Sequence, residues 1–119
     1  MAGYAKISGN VHWNTPTKYA NVVQQFFKII GLDPCYNDTS IIESTYKYQL
    51  PKQDGLILPW KKRTYVNPPY GRGIKSWFKK AYEEYLLGNE ILMLVPVSPN
   101  TSHWKEYVWG KATNICFFI

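Results

Sequence analysis

Four consecutive residues, Asn67-Pro68-Pro69-Tyr70, carry the most specific chemistry in this chain. The asparagine amide oxygen accepts a hydrogen bond. Pro68 has no N–H but keeps a carbonyl, a second acceptor whose direction the adjacent ring fixes. Two acceptors aimed at one point suit an –NH2 donor. Holding both amino hydrogens draws the nitrogen towards tetrahedral geometry and frees its lone pair for attack. Tyr70 adds an aromatic plane that can stack on a base, worth ~1–3 kcal/mol. No acid or base residue is required where the electrophile is already activated, as a sulfonium methyl is. The stretch reads as a grip on an amino group carried by a planar base.

The flanking residues set this grip between a strand and a helix. Arg63-Thr64-Tyr65-Val66 has β-forming character, and two prolines then forbid further ladder pairing. Gly71 and Gly73 loosen the backbone before Ile74, Trp77, Phe78, Ala81, Tyr82, Tyr85 and Leu86 recur at helical steps, with Gly88-Asn89 as the stop. Ile91-Leu92-Met93-Leu94-Val95 reads as a strand covered on both faces, ended by Pro96 and Pro99. Asn100, Thr101 or Ser102 caps a third helix carrying Trp104, Tyr107 and Val108, and residues 113–119 read as a last strand. Upstream, Thr15 as cap and Pro16 in the first turn open a helix over 16–30, with Gly31 at its C-terminal end.

Leu32-Asp33-Pro34-Cys35 reads as a strand end turning into a loop, and Asp54-Gly55-Leu56 as a turn leading to a brief apolar segment and Trp60. Between them, residues 41–50 fit a short helix or a strand equally, and residues 1–12 an extended arm. Strands and helices alternating from residue 63 onward predict an α/β fold on a parallel sheet. Strand-to-helix turns are where such open sheets bind ligands.

At 119 residues the chain is one small domain, and 45% hydrophobic and 17% aromatic content supplies its core. No apolar run approaches the roughly 20 residues that span a bilayer. The start, Met1-Ala2-Gly3-Tyr4-Ala5-Lys6, lacks the apolar region of an export signal, so a cytoplasmic location and reduced Cys35 and Cys116 are expected. Two cysteines without a close pair, and the distant His12 and His103, argue against a metal. Cys35 has no neighbouring histidine to activate it as a nucleophile.

The formal charge of +6, from 14 Lys+Arg against 8 Asp+Glu, favours a polyanionic partner, with a merely basic surface weighing about equally. Candidate phosphate contacts are Lys61, Lys62 and Arg63 ahead of the strand, and Arg72 and Lys75 directly after the grip. Trp13, Trp77 and Trp104 read as core aromatics, while Trp60 fits either role. A final apolar strand with an uncovered edge invites pairing with a second copy as a homodimer.

Asn67-Pro68-Pro69-Tyr70 resembles the signature of amino-methyltransferases that use S-adenosylmethionine. Together with Trp13-Asn14-Thr15-Pro16, Leu32-Asp33-Pro34-Cys35, Asp54-Gly55-Leu56, Trp60, Trp77 and Leu94-Val95-Pro96, it makes the chain from around residue 12 onward resemble phage-type DNA N6-adenine methyltransferases (Dam-like). The resemblance implies a Rossmann-like methyltransferase sheet with flanking helices, here small or truncated. It also implies S-adenosylmethionine as methyl donor and DNA as partner, in a bacterial or phage-infected cell.

On this resemblance, Asn67 and the Pro68 carbonyl bind the target amine, Pro69 rigidifies the turn, and Tyr70 stacks on a flipped adenine. Asp54 resembles the acidic position that meets the cofactor's adenine. Asp33, with Pro34, resembles the one near its ribose or amino-acid end, and Thr15 and Pro16 the pocket's outer wall. There are two departures: no Gly-x-Gly follows Asp33, where the chain reads Cys35-Tyr36-Asn37-Asp38, and the usual fold has further strands beyond position 119. Two alternatives stay open. The same grip suits methylation of RNA adenine or of a protein glutamine amide, and the chain also fits a non-catalytic nucleic-acid-binding remnant of such a fold.

Overall fold

A computed structural model of the chain describes residues 14–117. Along them run α1 (Thr17–Phe27), β1 (Leu32–Asp33), β2 (Tyr46–Lys47), β3 (Arg63–Val66), α2 (Ile74–Leu86), β4 (Glu90–Met93) and α3 (Ser102–Tyr107). The four strands form one parallel sheet in the order β2-β1-β3-β4. From β1 the chain first steps outward to β2, then crosses back to place β3 on the other side. The direction of winding therefore reverses between β1 and β3. In open parallel sheets, the crevice at the carboxyl ends of the strands flanking such a point is where ligands bind.

Side chains alternate along a strand, and this sorts the two faces of the sheet. Tyr65 packs with Ala20, Val23 and Phe27 of α1 and with Ile30 and Ile42, joined by Leu92 and Leu94. Leu32 and Val66 pack on the other side with Trp60 and with Trp77 and Ala81 of α2, joined by Ile91 and Met93. Leu32 and Val66 are both fully buried, each contributing about 1.5–3 kcal/mol by leaving water. Period two puts Asp33 and Tyr65 on the α1 face, and it carries that face on to Asn67.

Two glycines shape the lead-in and exit of α2. Gly71, at φ 119°, lets the chain leave the double proline, and Gly88, at φ 100°, turns it back towards β4.

Several expectations need correction. The first helix ends at Phe27 rather than residue 30, because Lys28 takes φ 59° and reverses the chain. Gly31 is not its cap. Its N–H donates to the Arg63 carbonyl at 2.7 Å, and an added Cβ would sit 3.2 Å from that oxygen, so it is a close approach of two backbones. Within residues 41–50 the strand alternative forms, as β2: Tyr46 N–H donates to Gly31 O at 2.9 Å and Tyr48 N–H to Asp33 O at 3.0 Å.

β4 is an edge strand and only partly covered, not sealed on both faces. Residues 113–117 form no strand. They are exposed and join no ladder, so the strand expected to pair with a second copy is not built over them. Phe118, Ile119, Trp13 and the arm over 1–12 lie outside the described residues. Among the described residues no helix is long and apolar enough to cross a membrane, and no three His, Cys, Asp or Glu side chains gather to hold a metal.

Candidate active site

The carboxyl end of β3 delivers the Asn67-Pro68-Pro69-Tyr70 turn into the crevice. Asn67 is buried, and both ends of its amide are engaged. Nδ2 donates to Thr15 Oγ1 at 3.3 Å, and Oδ1 accepts from the Tyr70 hydroxyl at 3.2 Å. Thr15 Oγ1 in turn shares a hydrogen bond of 2.5 Å with the Tyr65 hydroxyl. Thr15 therefore does not cap α1. The cap position is Pro16, which makes no side-chain capping bond but accepts from Tyr19 and Ala20 N–H through its carbonyl. The Thr15 hydroxyl is turned into the sheet instead. Burial pushes the Tyr70 phenol up to about 12 and raises Tyr65 as well, so both rings keep their protons at neutral pH.

At the end of β1, Asp33 is 4% exposed and accepts from Cys35 N–H at 3.0 Å. Burial dominates its titration and raises it to about 6, against the opposing pull of the Cys35 N–H and the Lys47 charge. Thr15, Asp33 and Asn67 are three of the five buried polar or charged side chains among the described residues, the others being Thr64 and Glu84. All three line one small polar cavity of about 10 Å³, with Tyr65 and Cys35. Buried polar groups are costly unless they serve structure or chemistry, so their concentration here marks the site. A clasp closes over it: Asn37 Nδ2 donates to Asn14 Oδ1 at 2.8 Å, and Asn14 Nδ2 to Thr39 Oγ1 at 2.6 Å. Burial pushes the Cys35 thiol up, with nearby Asp33 adding to the rise, which leaves it an unreactive thiol.

A second, larger groove of about 210 Å³ adjoins the first, sharing Cys35 and Asn37 with it and lined also by Pro34. Its walls include Tyr36, Tyr48 and Trp77, with Asp54, Gln49 and Pro69. Asp54 Oδ1 accepts from Leu56 N–H at 2.9 Å, which fixes the turn that presents it. Gly55 is pressed against β1's exit so closely that a Cβ would lie 2.2 Å from Pro34 O. Trp60, open to either role in sequence, is a core residue here. Its ring stacks on Trp77 at 6.3 Å and its Nε1–H donates to Gly55 O at 2.7 Å, pinning the same turn. Aromatic walls, a carboxylate and a side-chain amide are the groups that hold a nucleoside.

The basic residues divide between the two ends of the sheet. Arg72 follows the grip in an exposed turn, and Lys75 lies in the first turn of α2, bonded to Glu106 Oε1 at 3.0 Å and Ser102 Oγ at 3.3 Å. Lys61, Lys62 and Arg63 sit at the amino end of β3, away from the crevice. Lys61 Nζ lies over the Tyr46 ring at 4.6 Å, and Arg63 Nε is 3.7 Å from Glu90 Oε1.

Tyr65, Tyr36, Tyr48 and Gln49 join the site without having been singled out in the sequence. Tyr65 carried a usable signal, since it stands two residues before Asn67 on a strand and so shares its face. Tyr48 and Gln49 lie in the stretch whose structure the sequence leaves unresolved, and Tyr36 in the loop just before it.

No curated protein and no solved structure shows a significant match to the chain. The family model described as DNA N-6-adenine-methyltransferase (Dam) matches residues 5–119, a span that takes in the ends of both β1 and β3, and the chain belongs to that family.

Proposed function

We propose that this protein transfers a methyl group from S-adenosylmethionine to N6 of adenine in DNA, with the target base turned out of the duplex into the 67–70 turn. The observation that carries the reading is the convergence of Asn67, Asp33 and Thr15 on one cavity at the reversal point of the sheet, in a chain of the Dam family. Family membership favours adenine in DNA over RNA or a glutamine amide. The parallel order and the reversal between β1 and β3 support reading the sheet as Rossmann-like.

In this reading Asn67 Oδ1 and the Pro68 carbonyl accept the two N6 hydrogens while Tyr70 covers the ring. Both acceptors stand in a largely buried turn, where directed dipoles act more strongly than in water. The groove beside Asp54 fits an adenosine: Tyr36, Tyr48 and Trp77 offer apolar walls, and Asp54 and Gln49 offer polar edges. Bound there, S-adenosylmethionine supplies an activated methyl on a sulfonium. The N6 lone pair forms the new N–C bond as the S–C bond breaks, and the surplus N6 proton passes to water. No side chain carries the methyl, in keeping with the protonated Cys35 thiol. The cavity between Asp33 and Asn67 is far smaller than an amino-acid moiety, so productive binding requires the loop over 34–40 to open its clasp to Asn14.

The test is incorporation of radiolabelled methyl into adenine of duplex DNA, with Asn67→Ala expected to lose at least about 100-fold in rate. A folded chain that binds no S-adenosylmethionine by calorimetry is a nucleic-acid-binding remnant. Label entering RNA or protein but not DNA moves the substrate accordingly.

A further inference from the structure

We propose that Thr15, seated by Tyr65, is a positioning residue that holds the Asn67 amide in the one orientation that turns Oδ1 towards the substrate. Its catalytic consequence rests on the methyltransferase reading above, while its physical content rests on the hydrogen bonds alone. An asparagine amide is nearly symmetric in shape, and a half-turn exchanges its acceptor for a donor. With oxygen outward, the turn accepts from an amine. With nitrogen outward, it sets one –NH2 against another, and the grip is lost.

Thr15 Oγ1 lies 3.3 Å from Asn67 Nδ2 and 2.5 Å from the Tyr65 hydroxyl. A threonine hydroxyl carries one hydrogen. Either hydroxyl can supply the hydrogen of the Thr15–Tyr65 bond. With Thr15 as its donor, Thr15 faces Asn67 with lone pairs alone, which the amide nitrogen meets. The Tyr70 hydroxyl, donating to Oδ1 from the opposite side, agrees with the same orientation.

The geometry is held from both directions. Tyr65 is 1% exposed and locked among Ala20, Val23, Phe27, Ile30 and Ile42, so its hydroxyl cannot swing away. Pro16 restricts the backbone just after Thr15 and leads straight into α1, which packs on the same face. Thr15 and Asn67 are each 7% exposed, too deep for bulk water to replace a lost partner freely. This also gives a role to a residue pair separated by 50 positions, neither member of which need touch the base.

Thr15→Val keeps the shape and deletes the hydroxyl, Thr15→Ser restores it, and Tyr65→Phe removes its seat. With duplex DNA and saturating S-adenosylmethionine, Thr15→Val is expected to lower kcat by about 10- to 100-fold, the scale of a misplaced reacting group, with KM for DNA and the cofactor Kd held within about twofold. Tyr65→Phe follows it in direction, and Thr15→Ser recovers most of the loss. An independent readout is the ¹⁵N side-chain amide signal of Asn67, assigned by its disappearance in Asn67→Ala. Its two protons are expected to be resolved and slowly exchanging in the parent, and to broaden or average in Thr15→Val.

A raised cofactor Kd with unchanged kcat overturns the proposal and makes Thr15 part of the cofactor wall. Failure of Thr15→Ser to rescue, or an unaltered Asn67 amide signal in Thr15→Val, overturns it as well. If the parent transfers no methyl at all, the function above fails, and the amide signal alone decides the positioning role.

Discussion

The Tyr70 hydroxyl donates to Asn67 Oδ1 at 3.2 Å, so the ring read as a stacking surface also occupies the acceptor read as the base's anchor. An entering adenine must displace that hydrogen bond or share the oxygen's second lone pair. Tyr70→Phe deletes the competitor and keeps the plane, whereas Tyr70→Ala deletes both. Tyr70→Phe is expected to hold kcat within about threefold and to lower KM for DNA slightly. Tyr70→Ala is expected to lose the ~1–3 kcal/mol of stacking, about 5- to 150-fold in kcat/KM. Steady-state kinetics on one duplex separates the two. Equal losses in both variants would make the hydroxyl, not the plane, the working group.

Asp33 makes stability depend on pH in a calculable direction. Its folded value is raised from 3.8 to about 6 by burial, so between those values the native state holds a proton that the unfolded chain releases. Stability is therefore fully present below about pH 4, falls as pH rises towards 6, and is flat above. The shift corresponds to about 3 kcal/mol over that window. Asp33→Asn, which removes the carboxylate, is expected to be the more stable protein at pH 7, with the advantage disappearing by pH 4. Urea titrations of both proteins at pH 4, 5, 6 and 7 check this. On the proposed function, in which Asp33 stands near the cofactor, the same variant is also expected to bind S-adenosylmethionine more weakly.

Much of this was legible in the sequence because the signals were local. Pro68 and Pro69 had to end a strand, the spacing from Ile74 to Leu86 had to make a helix, and both are observed. The Asp33 turn sits at a strand end as read. What failed depended on partners far away in sequence. Thr15 has the composition of a cap, yet Tyr65 and Asn67, 50 and 52 residues on, draw its hydroxyl inward. β2 is two residues long and exists only because β1's backbone lies beside it, so no periodicity announces it. The apolar run at 113–117 has strand composition, but composition does not provide a neighbouring strand. Glu84 was legible and passed over, a lone acid on the buried α2 face with Trp77 and Ala81.

Gly55 is where the Asp54 turn is pressed most tightly against the end of β1. A methyl there would lie 2.2 Å from Pro34 O and 2.9 Å from the Trp77 ring. Neither the backbone nor the stacked indole can give way cheaply. Gly55→Ala is expected to destabilise by about 1–3 kcal/mol or more through overpacking. Calorimetry on the folded fraction is expected to show cofactor affinity reduced beyond what the stability loss explains, because the strain pushes Asp54 and Pro34 apart. Unchanged affinity would remove this groove from the cofactor site.

Glu84 joins three elements that no motif connects. Its Oε1 accepts from Trp60 N–H at 3.2 Å and from Asn89 Nδ2 at 2.9 Å, and its Oε2 pairs with Lys80 Nζ at 2.9 Å. The carboxylate and ammonium are both largely buried, so losing one strands the other. Glu84→Ala is expected to cost about 3–5 kcal/mol. Glu84→Gln, which keeps a carbonyl acceptor but leaves Lys80 unpaired, is expected to cost about 1–3 kcal/mol. Chemical denaturation of the three proteins ranks them. A silent Glu84→Ala would show that Trp60 is held by packing on Trp77 alone.

The basic residues give the last prediction, because the sheet puts them at opposite ends. On the proposed function, a duplex presenting a base to Asn67 would lie at the carboxyl ends of β1 and β3, beside Arg72 and the first turn of α2. Lys61, Lys62 and Arg63 stand at the other end of β3, and Arg63 is already near Glu90. Each phosphate contact adds about 0.9 to the slope of log affinity against log salt on B-form DNA. Arg72→Ala is expected to weaken DNA binding and reduce that slope by about one, uniformly across sequences. Lys75→Ala is expected to do less, since Glu106 already shares its charge. Lys61→Ala with Lys62→Ala is expected to leave the slope unchanged at the site that delivers the base. Fluorescence anisotropy between 50 and 200 mM salt, roughly the range over which such contacts are lost, measures all three. A slope that falls for the Lys61 and Lys62 pair but not for Arg72 would mean that the duplex wraps to the far edge of the sheet, with the crevice reached from the α1 side instead.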